Sequence, residues 1–319
     1  MSFLLKWRWL FCIYVVSLPT YSSWENYIPF YFTLLLLFIS WPYSSALLFL
    51  LAVSFWQQPT APPRRYPCLT HVYSPTQTLA TRFAPPPGCQ RVPLAAGSFG
   101  DWLRHLPLLP AGTPVHLYNG QLKDPQNVHA AVLDMDVGTR DLQQCADAVI
   151  RLRAEYLFTQ DPAQVHFHLT SGHDIWFSDW YGGKGFQVRG EQVLPDTKAV
   201  EAPTHAVFRR YLDQIFDYAG TLSLSRELQP VPLAQVQPGD VLIRGGSPGH
   251  AVMVLDVAEQ PTTGQKYMLL AQSYMPAQQM HVLLNHPRSG LGAWYAVNPS
   301  NAVVRTPEWL FAATELRRF

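Results

Sequence analysis

Residues 237–244, Gln237-Pro238-Gly239-Asp240-Val241-Leu242-Ile243-Arg244, run straight into Gly245-Gly246-Ser247-Pro248-Gly249-His250-Ala251-Val252-Met253-Val254. Pro238-Gly239 marks a turn, 241–244 a short apolar strand, and the Gly/Ser/Pro cluster a hairpin loop. His250 then opens a second strand, 250–257. Further strands at 267–273 and 280–284 are set off by glycine and proline, so the last third is an antiparallel run. A histidine at a strand end is held by its neighbours yet open from the turn side. The small residues Gly249 and Ala251 leave room there for a substrate.

Upstream the period changes. Over 139–158, Leu142, Cys145, Ala146, Val149, Leu152 and Tyr156 recur at helical spacing, and over 204–218 so do Phe208, Tyr211, Leu212 and Ile215. Ser98-Phe99-Gly100-Asp101 is a cap-like start to a short helix that Pro107 stops. Residues 164–169 alternate as a strand, as do 114–118 and 130–135 around the Asn119-Gly120 turn. Thr306-Pro307-Glu308 reads as the opening of a terminal helix. Helices first and antiparallel strands last define an α+β domain, spanning 66–319 with no second linker and no internal repeat.

The chain has 319 residues, 48% apolar, 13% aromatic and only 14% charged. A net charge of +1 and the lack of charge runs exclude a nucleic-acid-gripping field. The charge deficit is concentrated, for no charged side chain occurs from Asn26 to Pro63. Residues 27–56 are long enough, at about 45 Å as a helix, to cross a hydrocarbon core of roughly 30 Å. Pro42 leaves two short apolar pieces or one kinked span as alternatives. Residues 1–56 therefore read as membrane segment or signal region, with Ala52-Val53-Ser54 a passable cleavage site, and 57–65 as a Pro-rich linker. The expectation is a membrane-associated protein with its domain exported. The alternative is an over-extended gene start.

Four cysteines, Cys12, Cys68, Cys89 and Cys145, are too few and too scattered for a zinc ribbon. Cys68 and Cys89 either pair in an oxidising compartment or are unrelated thiols. Cys145 is the chemically sharpest. In Asp141-Leu142-Gln143-Gln144-Cys145-Ala146-Asp147, an N-cap at Asp141 puts Cys145 in the first turn, where free N–H groups and the helix dipole lower a thiol pKa. The competing reading is a core cysteine, since Cys145 also falls on the apolar stripe. Ala271-Gln272-Ser273, one strand beyond His250, offers Gln272 to orient the imidazole. Thiol on a helix end, base on a strand and polar orienter form a generalised thiol triad. The Cys145 N–H, with Gln143 or Gln144, would hold the oxyanion.

These motifs resemble the NlpC-type cell-wall cysteine peptidases. Gln-Cys-Ala-Asp-Ala-Val is similar to their Asp-Cys-Ser-Gly-Leu-Val, and Pro-Gly-Asp-Val-Leu-Ile with Gly-His-Ala-Val is similar to their Pro-Gly-Asp-Leu-Val and Gly-His-Val-Gly. The resemblance implies a papain-like fold, a helix packed on an antiparallel sheet, and a cofactor-free hydrolase cleaving an amide, as in cell-wall peptide. Its catalytic residues would be Cys145, His250 and Gln272, with Gln144 and Gly249 at the oxyanion and substrate positions. Those relatives more often carry His where Gln272 stands. More extensively, residues from about 70 to 298 are similar to the bacterial family of domain of unknown function 4846. That similarity lies in 97–104, 117–123, 144–157, 218–224 and 271–277.

Three rival constellations stand beside the thiol. His166-Phe167-His168 with His173-Asp174 could ligate a metal, because alternate strand residues share a face. Asp134 and Asp136 could form a carboxylate pair. Residues 180–185, Trp-Tyr-Gly-Gly-Lys-Gly, read as an aromatic-flanked surface loop. The alternative function is a non-catalytic envelope domain binding peptide or glycan.

Overall fold

The computed structural model describes residues 65–319. The expected membrane segment and nearly all of the linker lie outside the described residues. Among those described, no helix is long and apolar enough to cross a membrane.

The chain begins with α1 (Leu79–Arg82), β1 (Gln90–Arg91), α2 (Phe99–Arg104) and β2 (His129–Val132). The long helix α3 (Cys145–Gln160) follows. Two hairpins then flank a short helix: β3 (His166–His168) with β4 (Asp174–Trp176), α4 (Phe177–Tyr181), and β5 (Lys184–Arg189) with β6 (Gln192–Thr197). Helices α5 (His205–Tyr218) and α6 (Thr221–Glu227) close the helical part. The remainder is β7 (Gln229–Pro230), β8 (Val241–Arg244), β9 (His250–Glu259), β10 (Lys266–Gln272), β11 (His281–Leu283), β12 (Trp294–Ala296), β13 (Val303–Arg305), β14 (Leu310–Ala312) and β15 (Leu316–Arg318).

The main sheet runs β2-β11-β10-β9-β8-β15-β7, with β1 joining β9 and β12 joining β10, and every pairing is antiparallel. The expected α+β architecture with an antiparallel sheet is therefore present. Strand alternation divides the core. Ile243, Ala251, Met253 and Ala271 meet Ala146, Val149 and Leu152 of α3 on one face. Leu242, Val252, Val254 and Leu270 pack beneath Phe311 on the other. β9 is buried along almost its whole length because both of its faces are covered.

Several sequence expectations need correction. α3 begins at Cys145 rather than Thr139, since residues 139–144 run as turns that return Asp141 and Gln143 to other partners. Residues 114–118 form no strand and only isolated bridges at His116 and Leu117. No α-helix opens at Thr306, and only a single 3₁₀ turn at Ala313–Glu315 follows. The Thr306 N–H donates to the Trp309 carbonyl, and the segment is the turn of the β13–β14 hairpin. Trp180 and Tyr181 belong to α4 rather than a surface loop, with Trp180 buried and its Nε1 donating to Gln214 at 2.7 Å.

Candidate active site

Cys145 is the first residue of α3, with Gln144 at the N-cap, so its N–H is among the four that the helix leaves unpaired. The half-buried thiol lines a cleft of about 520 Å³ together with Asp147, Asp217, His250, Tyr274 and Trp309. A larger cleft of about 710 Å³ between Arg65, Phe158 and His205 is lined by no cysteine. The chemistry-bearing residues sit in the smaller one.

His250 is placed by its strand. The register Arg244↔His250 puts it at the last β8–β9 pair, beside the hairpin loop. Its ring is 1% exposed and lies against Tyr274, Trp309 and Phe311, at centroid distances of 4.8, 5.1 and 5.8 Å. Its Nε2 is 2.8 Å from Gln272 Oε1. Gln272 Nε2 donates in turn to Glu308 Oε2 at 2.7 Å, and Lys123 Nζ donates to Glu308 Oε1 at 2.6 Å. A carboxylate can only accept, so Glu308 fixes the amide with its oxygen toward the imidazole. His250 Nε2 therefore carries the proton and Nδ1 is the basic nitrogen. Burial holds this imidazole at about 4, against the raising influence of the Gln272 hydrogen bond.

The thiol is tuned the opposite way from the expectation. Burial, and then the Asp147 carboxylate, push Cys145 up to about 11, against the pull of the backbone N–H groups of Ala146, Ala251 and Cys145. Asp147 itself, buried and only 7% exposed, is pushed up to about 8, chiefly by desolvation and further by Asp217, while the Gln144 N–H opposes the rise. Thiol and imidazole thus rest neutral. They share the cleft without a direct hydrogen bond, since Gln272 is the side-chain partner of His250. By strand alternation His250 lies on the Val252 face while α3 packs on the Ala251 face, so the two groups come from opposite faces of the sheet to the one cleft that both line.

The remaining predicted residues divide. Gln144 lines the cleft, and its Nε2 donates to Asp141 Oδ1 at 3.1 Å. Gln143 does not, being buried with its Oε1 accepting from Arg151 at 2.9 Å. Gly249 lines the cleft, but the space of its absent Cβ is taken by the protein. A Cβ there would collide with Thr221 Oγ1 and the Gly246 carbonyl oxygen. The glycine lets the hairpin loop close on α6 rather than making room for a substrate. Glu308 was missed, because the expected terminal helix hid a hairpin turn that aims it at Gln272.

The rival sites disperse. His166 meets Asp174 at 2.8 Å, His168 meets Glu227 at 3.1 Å, and His173 meets Ser171 at 3.0 Å. Among the described residues, no three His, Cys, Asp or Glu side chains gather to hold a metal ion. Asp134 takes Thr70 and His71 as partners, whereas Asp136 takes Arg151. Cys68 and Cys89 are both free thiols, Cys68 in the core and Cys89 half-buried.

Fold and cleft together define a mixed α+β domain that brings a thiol and an oriented imidazole to one end of an antiparallel sheet. Over residues 79–318 the chain matches the family described as domain of unknown function (4846), and it belongs to that family. No curated protein matches the chain, and no solved structure does.

Proposed function

We propose that this domain is a thiol hydrolase of papain-like type that cleaves an amide bond, with Cys145 as nucleophile and His250 as base. The observation that carries the reading is the Glu308–Gln272–His250 line, which leaves Nδ1 as the basic nitrogen in the cleft that Cys145 lines. His250 Nδ1 takes the thiol proton as sulfur attacks the carbonyl carbon. The oxyanion is held by the unpaired N–H of Cys145, with Gln144 as the candidate second donor. The intermediate collapses as His250 returns the proton to the leaving amine, and water then cleaves the thioester to acid and free thiol. Gln272 cannot stabilise an imidazolium as a carboxylate does, and the Glu308 carboxylate behind it is already paired with Lys123, so the line orients the imidazole rather than charging it. The resemblance to cell-wall peptidases and the apolar run at 27–56 support a membrane-tethered, exported enzyme acting on cell-wall peptide.

A specific observation favours a second reading, a non-catalytic envelope domain binding peptide or glycan in the same cleft. Thiol and imidazole are both neutral and not hydrogen-bonded to each other. The rate of Cys145 alkylation by iodoacetamide at pH 7.5, read by peptide mass spectrometry beside Cys89, separates the two. A thiol hydrolase gives a rate well above that of a thiol titrating at about 11, reduced roughly tenfold or more in His250→Ala. A slow Cys145, indifferent to that substitution, selects the binding domain.

A further inference from the structure

The cleft has a charge pattern that the thiol reading leaves unused. Asp141, Asp147 and Asp217 line it, and no lysine or arginine does. Asp217 is exposed, and Asp141 Oδ1 accepts the Ala277 N–H at 2.6 Å. Asp147 differs from both. Its Oδ2 accepts the Gln144 N–H at 3.0 Å, while its Oδ1 is buried and has no partner. A buried carboxylate oxygen without a donor is costly, so a ligand that brings one is favoured. Trp309 Nε1, on another wall of the cleft, is also buried and unpaired. Two residues of the cleft wall therefore carry an acceptor and a donor that the folded chain does not match.

Resting on the thiol reading, we infer that the cleft selects amide substrates carrying a protonated primary amine, seated against Asp147 Oδ1. A guanidinium fits less well. Its bidentate fork needs both carboxylate oxygens, and Oδ2 is occupied by the helix cap. A compact ammonium needs only one. An anion would find the unpaired helix N–H groups, but in a cleft walled by Asp141 and Asp217, and it would gain nothing from Asp147. Without a ligand, burial holds Asp147 largely protonated at neutral pH. An ammonium beside it restores the charge, and the ion pair forms only in the occupied cleft.

The test uses three thiol reagents of graded charge on the full chain: 2-bromoethylamine, iodoacetamide and iodoacetate. Each forms the same thioether bond to Cys145 and releases halide. Cys89 is the internal reference, because it lies outside the cleft lining and sees each reagent's intrinsic rate. Normalised to Cys89, the bromoethylamine-to-iodoacetate ratio at Cys145 is expected to be about tenfold or more, as one-signed clefts enrich counter-charges. Asp147→Asn keeps the cap geometry and should remove most of that ratio. Asp217→Asn, at an exposed position, should lower it less. Cys145 modified by all three reagents without charge order overturns the amine inference alone. Preference for iodoacetate overturns it as well. Cys145 inert to all three while Cys89 reacts sinks the thiol reading, and the inference with it.

Discussion

Asp147 and Glu155 are carboxylates about two turns apart on α3, both buried, and their environments drive them in opposite directions. Glu155 is fully enclosed, and burial alone would raise it. The Arg151 guanidinium, whose Nε donates at 2.6 Å, and His205, at 2.9 and 3.0 Å, outweigh that and hold it below the usual carboxylate range. Asp147 has only backbone N–H groups and no cation, so burial wins and its pKa climbs to about 8. Burial is common to both, and the partner decides the charge. The chain has matched one carboxylate internally and left the other facing the cleft, which separates a structural network from a site.

The largest expected effect breaks the matched member. Arg151→Ala leaves Glu155 and Asp136 without their shared guanidinium, an uncompensated buried charge that costs about 3–5 kcal/mol. Urea unfolding followed by fluorescence measures it. A loss below about 1 kcal/mol would mean that Glu155 is not held ionised, and the contrast with Asp147 would fail.

Next comes the unmatched member, whose sign runs the other way. A folded pKa of about 8, against an ordinary value of 3.8, means the native state binds more protons between those limits. That stability is complete below pH 4 and is lost as pH rises toward 8. Asp147→Asn cannot titrate, so the wild type should lose on the order of 3 kcal/mol relative to it between pH 5 and 8.5. Glu155, with its lowered pKa, contributes stability that is present above its ordinary value and lost as pH falls below it. Parallel pH profiles for wild type and Asp147→Asn would refute the buried, unpaired state of Asp147.

Much of this architecture was legible in residue order. Strand β8 was read at its observed limits and the starts of β9, β10 and β11 to within one residue, because glycine and proline bound apolar runs too short to be helices. Helix α5 was equally plain, with Thr204 capping a clean apolar stripe. Cys145, His250 and Gln272 could be named because motif spacing and strand order bring chemistry to a shared end. What spacing cannot express is burial. Residue order alone gives no sign that Asp147 is buried, and only the surrounding fold sets it against the thiol. Glu308 is hidden by a false helix-start signal. Pro307 suited a helix start, whereas Val304 and Phe311, cross-strand partners filling the second core, required a hairpin.

The smallest expected effect tests whether the two carboxylates are independent. His205 opens α5, and its Nε2 reaches both oxygens of Glu155, but its side chain is 27% exposed. Water can replace part of what it provides, and Arg151 remains in place. His205→Ala should therefore cost only about 1 kcal/mol. It should leave the difference in pH slope between wild type and Asp147→Asn unchanged, because sites without shared partners add. A cost near that of Arg151→Ala would make the histidine, rather than the guanidinium, the group that keeps Glu155 charged. An altered Asp147 slope would show that the core network and the cleft are coupled along α3, so that the acidity of the cleft is set from inside the domain.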